Sequence, residues 1–195
     1  MVSYQQAGHI LADAFLHYPL MLHAFEGRTE QERSQALHQL YTHCAKAAFK
    51  YGGVLLDADH QAALIWLPGH HFPLGLIREA KAGMLSLPFK LGVKSTLRLM
   101  NHDAVSEGWI AKHAGAKMGY IWCVGVSATE RGKGLSRQII EQSIGEMRKQ
   151  GLNEFWLKTE DAKNVLIYQK LGFELVHETL VKSSALKSWV MRYKS

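Results

Sequence analysis

The 195-residue chain is 47% hydrophobic and 21% charged, a balance ordinary for a globular protein. This length suits one domain over residues 1–195, with room for an elaboration. A net charge of +6 favours anionic ligands or surfaces, and equally serves general solubility. Cys44 and Cys123 lie far apart with no Cys-x-x-Cys spacing. That argues against a disulfide framework or zinc site, and for reduced thiols in a cytoplasmic setting. The start Met-Val-Ser-Tyr-Gln-Gln lacks a basic leader and an apolar run, and the apolar stretches are interrupted by charge. Neither a secretory signal nor a membrane partner is expected.

Ser3 and Gln6 read as a capping box ahead of a stripe of Ala7, Ile10, Leu11, Ala14 and Phe15. Tyr18-Pro19 ends that helix or turns it into a short second one. Thr29 and Glu32 form a second capping box, opening a helix to about Lys50 that Gly52-Gly53 stops. Val54–Asp57 and Ala62–Leu67 read as strands joined by a hairpin turn at Asp57–His60. Residues 73–114 form the unusual part. Leu74–Leu87 and Leu91–His113 read as helices broken near Pro88, mildly basic and rich in Leu and Met. Their amphipathic mixture predicts a helical insertion that walls the substrate cleft, or else a packing or dimer surface.

Tyr120, Ile121, Trp122, Cys123, Val124 and Val126 then read as a strand, and Leu135, Ile139, Ile140, Ile144 and Met147 recur at helical spacing. Between them the turn Ser127–Gly134 holds Gly132 and Gly134, flanked by Arg131 and Lys133. A helix N-terminus carries unpaired N–H groups and partial positive charge, and glycine lets an anion approach the backbone. Such a loop is built for phosphate or pyrophosphate. A strand at Glu154–Thr159, a helix at Ala162–Leu171 capped by Asp161, and strands at Phe173–Lys182 and Leu186–Tyr193 complete the chain.

The run Arg131 to Ser136 is neither Gly-x-Gly-x-x-Gly nor the nucleoside-triphosphate loop ending in Gly-Lys-Ser/Thr. It resembles the acetyl-CoA loop of the GNAT N-acetyltransferase superfamily, Gln/Arg-x-x-Gly-x-Gly/Ala. Arg131 and Gly134 match, and Ser136 replaces the last small residue. Asn164, Tyr168, Gly172 and Phe173 resemble the family's Asn-x-x-Ala-x-x-Tyr-x-x-x-Gly-Phe segment, with Ile167 where a small residue is often found. The resemblance covers roughly residues 119–182.

It implies an α/β fold with a GNAT-like mixed, mostly antiparallel central sheet flanked by helices, and here a helical insertion before the central strand. The family's first strand looks short or missing. It also implies acetyl-CoA as cosubstrate, with no metal. Backbone at Val124 and Val126 would meet pantetheine and the acetyl carbonyl. Arg131, Gly132, Lys133, Gly134, Leu135 and Ser136 would hold the pyrophosphate. Asn164 would contact CoA or cap its helix. Tyr168 would be the general acid for the departing thiolate. Relatives often carry a Glu on the central strand as general base, but Tyr120, Ile121 and Trp122 offer no carboxylate there. His102, Asp103, Glu107 and His113 are candidates only by sequence proximity, each read as a surface or capping residue. Cys123 is expected to be a buried, inert thiol. His70 and His71, adjacent, would point oppositely on a strand, and His38 and His43 miss the spacing of a shared helix face.

The expected activity is acetyl transfer to a primary amine, of a small molecule or alternatively of a protein or peptide. A catalytically idle CoA-binding module is the rival that the missing carboxylate motivates. Nucleic-acid binding lacks a reader motif. Monomer and homodimer remain equally open.

Overall fold

In the computed structural model, which describes residues 4–194, the chain opens on helix α1 (Tyr4–Ala14). Ala7, Ile10 and Leu11 are buried as the stripe predicts, while Ala14 and Phe15 are half-buried and Ala12, outside the stripe, is buried instead. The capping box read at Ser3 lies outside the described residues. Pro19 opens the short α2 (Pro19–Ala24), where its missing N–H costs nothing. The long α3 (Glu30–Tyr51) starts with the expected capping box: Thr29 Oγ1 accepts from Glu32 N at 3.3 Å, and Glu32 Oε2 accepts from Thr29 N at 2.9 Å. Helices α1 and α3 touch at Gly8, where a Cβ would stand 2.7 Å from Thr42 Cα.

Strands β1 (Gly53–Leu56) and β2 (Ala62–Pro68) form the antiparallel hairpin. Asp57 Oδ1 closes its turn by accepting from both Gln61 N and Ala62 N at 2.6 Å. Every residue of β2 is buried, because both faces are covered. Ala63 and Ile65 join the core under α1 and α3, while Ala62, Leu64 and Trp66 join the core on the opposite face.

The insertion comprises α4 (Gly75–Ala82), α5 (Leu87–Leu91) and α6 (Val93–His113). The break expected at Pro88 is not there. Pro88 sits in the first turn of α5, where a helix tolerates it. The chain breaks instead at Gly83 and Gly92, whose φ values of +84° and +80° suit only glycine. His70 and His71 also depart from expectation. They lie in a 3-10 turn, not a strand, with ring centroids 4.2 Å apart.

Strand β3 (Met118–Val126), helix α7 (Leu135–Lys149), strand β4 (Glu154–Thr159), helix α8 (Ala162–Lys170) and strands β5 (Glu174–Val181) and β6 (Leu186–Lys194) follow. The sheet order is β1-β2-β3-β4-β6-β5. Only β3 and β4 run parallel; the other neighbours are antiparallel. The short or missing first strand expected before α1 falls outside the described residues. Helices α1 to α3, α5 and part of α6 cover one face, and α7 and α8 pack on the other.

The parallel pair is short. Met118, Gly119 and Tyr120 face Glu154, Phe155 and Trp156, and no pairing continues beyond them. The two strands part there, in the middle of the sheet.

Because the Gly8 contact is with backbone that cannot swing aside, Gly8→Ala should lower unfolding free energy by about 1–3 kcal/mol. Urea denaturation checks this, and an unchanged midpoint would mean that α1 rides higher on α3.

Candidate active site

The parting of β3 and β4 leaves backbone groups of β3 without sheet partners from Ile121 onward on that edge. Buried backbone polar groups call for partners, so this edge is a template for an extended ligand. A cleft of about 360 Å³ lies along it, lined by Val124, Gly125 and Val126 and by Gly132, Gly134, Leu135 and Ser136. The last four form the entrance to α7. Gly134 is its N-cap at φ +83°, and no side chain caps the first turn. The leading N–H groups of α7 therefore have neither an intrahelical acceptor nor a side-chain substitute. Uncapped N–H groups beside left-handed glycines make an anion site.

Arg131 lines the same cleft. Its guanidinium donates to Ala14 O at 3.1 Å and reaches Val126 O at 3.5 Å, tying α1 to the end of β3. Lys133 does not line the cleft; its ammonium pairs with Glu130 at 2.9 Å.

A second cavity, of about 500 Å³, adjoins the first. Phe15, Tyr18, Val124, Asn164 and Tyr168 line both. Tyr168 is nearly buried, and burial, with smaller effects from Cys123, Glu160 and Asp161, raises its phenol well above the ordinary range. It therefore holds its proton at neutral pH and stands where the two spaces meet. Asn164 Nδ2 donates to Thr159 Oγ1 at 3.3 Å, and Asp161 caps α8 through Lys163 N at 2.9 Å.

A split parallel pair, an uncapped helix entrance after the first strand and a buried tyrosine across the gap make a cleft suited to an extended anionic ligand. Residues 96–173 match the model of the acetyltransferase (GNAT) family. Over that stretch the chain is similar to the GNAT acetyltransferases. An uncharacterized N-acetyltransferase of Schizosaccharomyces pombe is 26% identical over 178 residues, spanning 88% of this chain and 70% of its own. The polyamine N-acetyltransferase of Drosophila melanogaster superposes over 99% of this chain and 95% of its own, with TM-score 0.62 and 14% identity. The C-terminal condensation domain of Ebony, solved with beta-alanyl-dopamine, covers 97% and 92% with TM-score 0.64 and 8% identity. A putative acetyltransferase from Agrobacterium tumefaciens overlaps 40% of this chain and 58% of its own at 19% identity and TM-score 0.38, too short an overlap to add to the argument.

Strand β3 itself carries no carboxylate, and the carboxyls that reach it come from α6. Asp103 and Glu107, expected at the surface, line the larger cavity. His102, also expected outside, is fully buried. Only His113 is as expected, exposed and stacked on Trp109 at 4.0 Å. The reason is the face α6 turns inward: Leu99, His102, Asp103, Ser106, Glu107 and Ile110 recur every three or four residues. Tyr120 OH donates to Glu107 Oε1 at 3.3 Å, bringing this carboxyl to the last paired residue of β3.

Next to it lies a chain of charges. Lys158 Nζ is 2.7 Å from Asp103 Oδ1 and 3.1 Å from Glu160 Oε1. Glu160 also accepts from Tyr18 OH at 3.0 Å and Ser188 Oγ at 3.0 Å, and stands 3.2 Å from His102 Nε2. Burial opposes its charge, but Lys158 and then His102 outweigh burial and hold its pKa at about 2. Burial likewise opposes the charge on Lys158, and Asp103 and Glu160 more than compensate. Glu107 differs. Burial first, then Asp103, pushes its pKa up to about 8.

Cys123 also lines the larger cavity. Burial raises its thiol well above the ordinary range, which keeps it an unreactive wall. Among the described residues no group of three His, Cys, Asp or Glu gathers to hold a metal, and no helix is long and apolar enough to cross a membrane.

Gly134→Glu should abolish acetyl-CoA binding in calorimetry, since it adds a carboxylate at the anion site and strains φ +83°. Retained affinity in a folded variant would move the pyrophosphate site elsewhere. Glu160→Gln should cost about 3 kcal/mol at pH 7, because it removes one of the two carboxylates that offset the buried Lys158 ammonium. With a folded pKa of about 2 against an ordinary 4.5, that stabilisation is present above about pH 4.5 and fades as pH falls toward 2. Urea midpoints of the two proteins should therefore converge in acid.

Proposed function

We propose that this protein transfers the acetyl group of acetyl-CoA directly to the primary amine of a small-molecule acceptor, within a ternary complex. The observation that carries this reading is the meeting of the two cavities at Tyr168. The smaller has the strand edge and helix entrance that a pantetheine arm and pyrophosphate need. The larger is enclosed by the insertion, through Met84, Leu87, Leu91 and Leu99, and its volume of about 500 Å³ matches a small organic molecule.

In this reading the backbone of Val124 and Val126 receives the pantetheine amides and orients the acetyl carbonyl. Gly132, Gly134, Leu135 and Ser136 present N–H groups to the pyrophosphate. Arg131 and Lys133 add positive potential at the cleft mouth, Lys133 from outside the wall and partly offset by Glu130. Asn164 borders both sites. Acetyl-CoA, when bound, supplies a thioester carbonyl open to attack by an amine. Tyr168 gives its phenolic proton to the departing sulfur and regains one as the new amide forms. Holding both reactants against one another supplies much of the acceleration.

A small acceptor is preferred to a protein or peptide because residues of α5 and α6 wall the larger cavity and bound its volume at about 500 Å³. Against the idle-module reading stands Glu107, a carboxyl that reaches β3 through the Tyr120 hydroxyl.

Tyr168→Phe should keep acetyl-CoA affinity and lower kcat by about 100-fold with any acceptor that is turned over. Unchanged kcat would remove Tyr168 from proton transfer.

A further inference from the structure

The larger cavity has two unlike parts. One is apolar, built from Leu20, Met21, Leu40, Met84, Leu87 and Leu91. The other is acidic, with Asp103, Glu107 and Glu160 around the single ammonium of Lys158. The acidic part is not evenly satisfied. Lys158 is taken up by Asp103 and Glu160, as the 2.7 and 3.1 Å contacts show. Glu160 is further saturated by Tyr18 and Ser188. Glu107 receives the Tyr120 phenol, and among the described residues no cation lies within ion-pair distance of it. It is enclosed by protein yet keeps partial accessibility through the cavity that it lines.

A carboxyl in such a place lacks a counter-ion. In an overall basic protein, a largely apolar cavity that presents more carboxyls than cations selects for a positive ligand. We propose that the acceptor is an amphipathic primary amine, bound as its ammonium ion against Glu107 with its apolar body under α5 and α6, and that Glu107 is the general base that deprotonates it. This rests on the acetyltransferase reading of the two cavities.

The steps balance. The Glu107 carboxylate takes one proton from R–NH3+, directly or through one water, leaving R–NH2 and a neutral carboxyl. The nitrogen lone pair forms the C–N bond at the thioester carbon, and the C–S electron pair leaves on sulfur. Tyr168 protonates that sulfur, and the second nitrogen proton restores Tyr168. Glu107 later yields its proton to water. The products are the N-acetyl amine, the free thiol of CoA and one proton. Asp103 and Lys158 are positioning residues: Asp103 keeps Glu107 basic by its charge, and its contact with Lys158 withdraws that ammonium from the acceptor.

The groups facing Glu107 come from three further elements. They are Asp103 on α6 itself, Tyr120 and Cys123 on β3, Lys158 and Glu160 at the end of β4, and Cys44 on α3. The two cysteines and Tyr120 stay neutral, with pKa values raised by burial. Asp103 and Glu160 favour the proton on Glu107, and Lys158 opposes it. Glu107 is left as the group that titrates near neutrality.

The test uses the full chain, acetyl-CoA and four acceptors: hexylamine, 2-phenylethylamine, the hydrophilic diamine putrescine and a serine-initiated tetrapeptide. The first two should show at least about ten-fold higher kcat/KM, since a few buried methylenes suffice for that ratio. Their kcat/KM should rise with pH through about 8. Glu107→Gln should bind acetyl-CoA as before, lose about 100-fold in kcat and lose that rising limb. Glu107→Asp should retain the limb with intermediate turnover, which a purely structural role would not produce. An unaltered pH profile in Glu107→Gln overturns the base. Equal or better turnover of putrescine or the peptide, or turnover of none of the four by a chain that binds acetyl-CoA, overturns the acceptor class. Failure of the wild-type chain to bind acetyl-CoA overturns the underlying cavity reading instead.

Discussion

The structure turns on where the parallel pairing of β3 and β4 ends. A continuous sheet would satisfy its own backbone and leave no room between neighbouring strands. Here the ladder runs from Met118 to Tyr120 on one side and Glu154 to Trp156 on the other, and then stops. Past that point two polar edges face each other across a gap. The whole candidate site follows from it. The smaller cleft lies on the β3 edge, Lys158 lies at the end of β4 with Glu160 just beyond it, and α8 hangs Tyr168 over the opening.

A gap in the middle of a sheet has to be closed from above, and the helical insertion and the turn after α1 do this. Tyr18 is the clearest fastener. Its hydroxyl donates to Glu160 Oε2 at 3.0 Å and accepts from Glu160 N at 2.7 Å, joining the N-terminal helices to the loose end of β4. From the other side, α6 contributes Asp103 to Lys158. These contacts are polar because the strand end beneath them is polar. An apolar cover would have left Lys158 and the β4 terminus unsatisfied.

Much of this was legible in the sequence. Thr29 and Glu32 located the start of α3, and Gly134 with the Leu135–Met147 periodicity located the loop and α7, because local chemistry decides both. Pro88 misled because proline breaks a helix only where an N–H is required, and in a first turn none is. The glycines at 83 and 92 were the actual punctuation. The carboxylates of α6 were missed for a different reason. Polar residues at 102, 103, 106 and 107 share a stripe with Leu99 and Ile110, and a stripe mixing charge with leucine reads as a wet face on composition alone. The residues that satisfy it, Lys158, Glu160, Ser184 and Ser188, lie more than fifty positions away. No window of sequence contains both halves. The periodicity itself was visible, and four polar residues in register with a core stripe were the available signal.

The division of labour between segments has an evolutionary side. In the proposed acetyl transfer, the anion loop and its strand edge, on β3 and α7, hold a part of the cosubstrate that never varies. The apolar and acidic walls of the larger cavity come mostly from residues before β3, on helices that make few demands on that loop. Substitutions in α4 to α6 can thus be sampled by drift while the acyl donor remains held in place. A lineage bearing this architecture can change what it modifies without first losing the means of modifying anything.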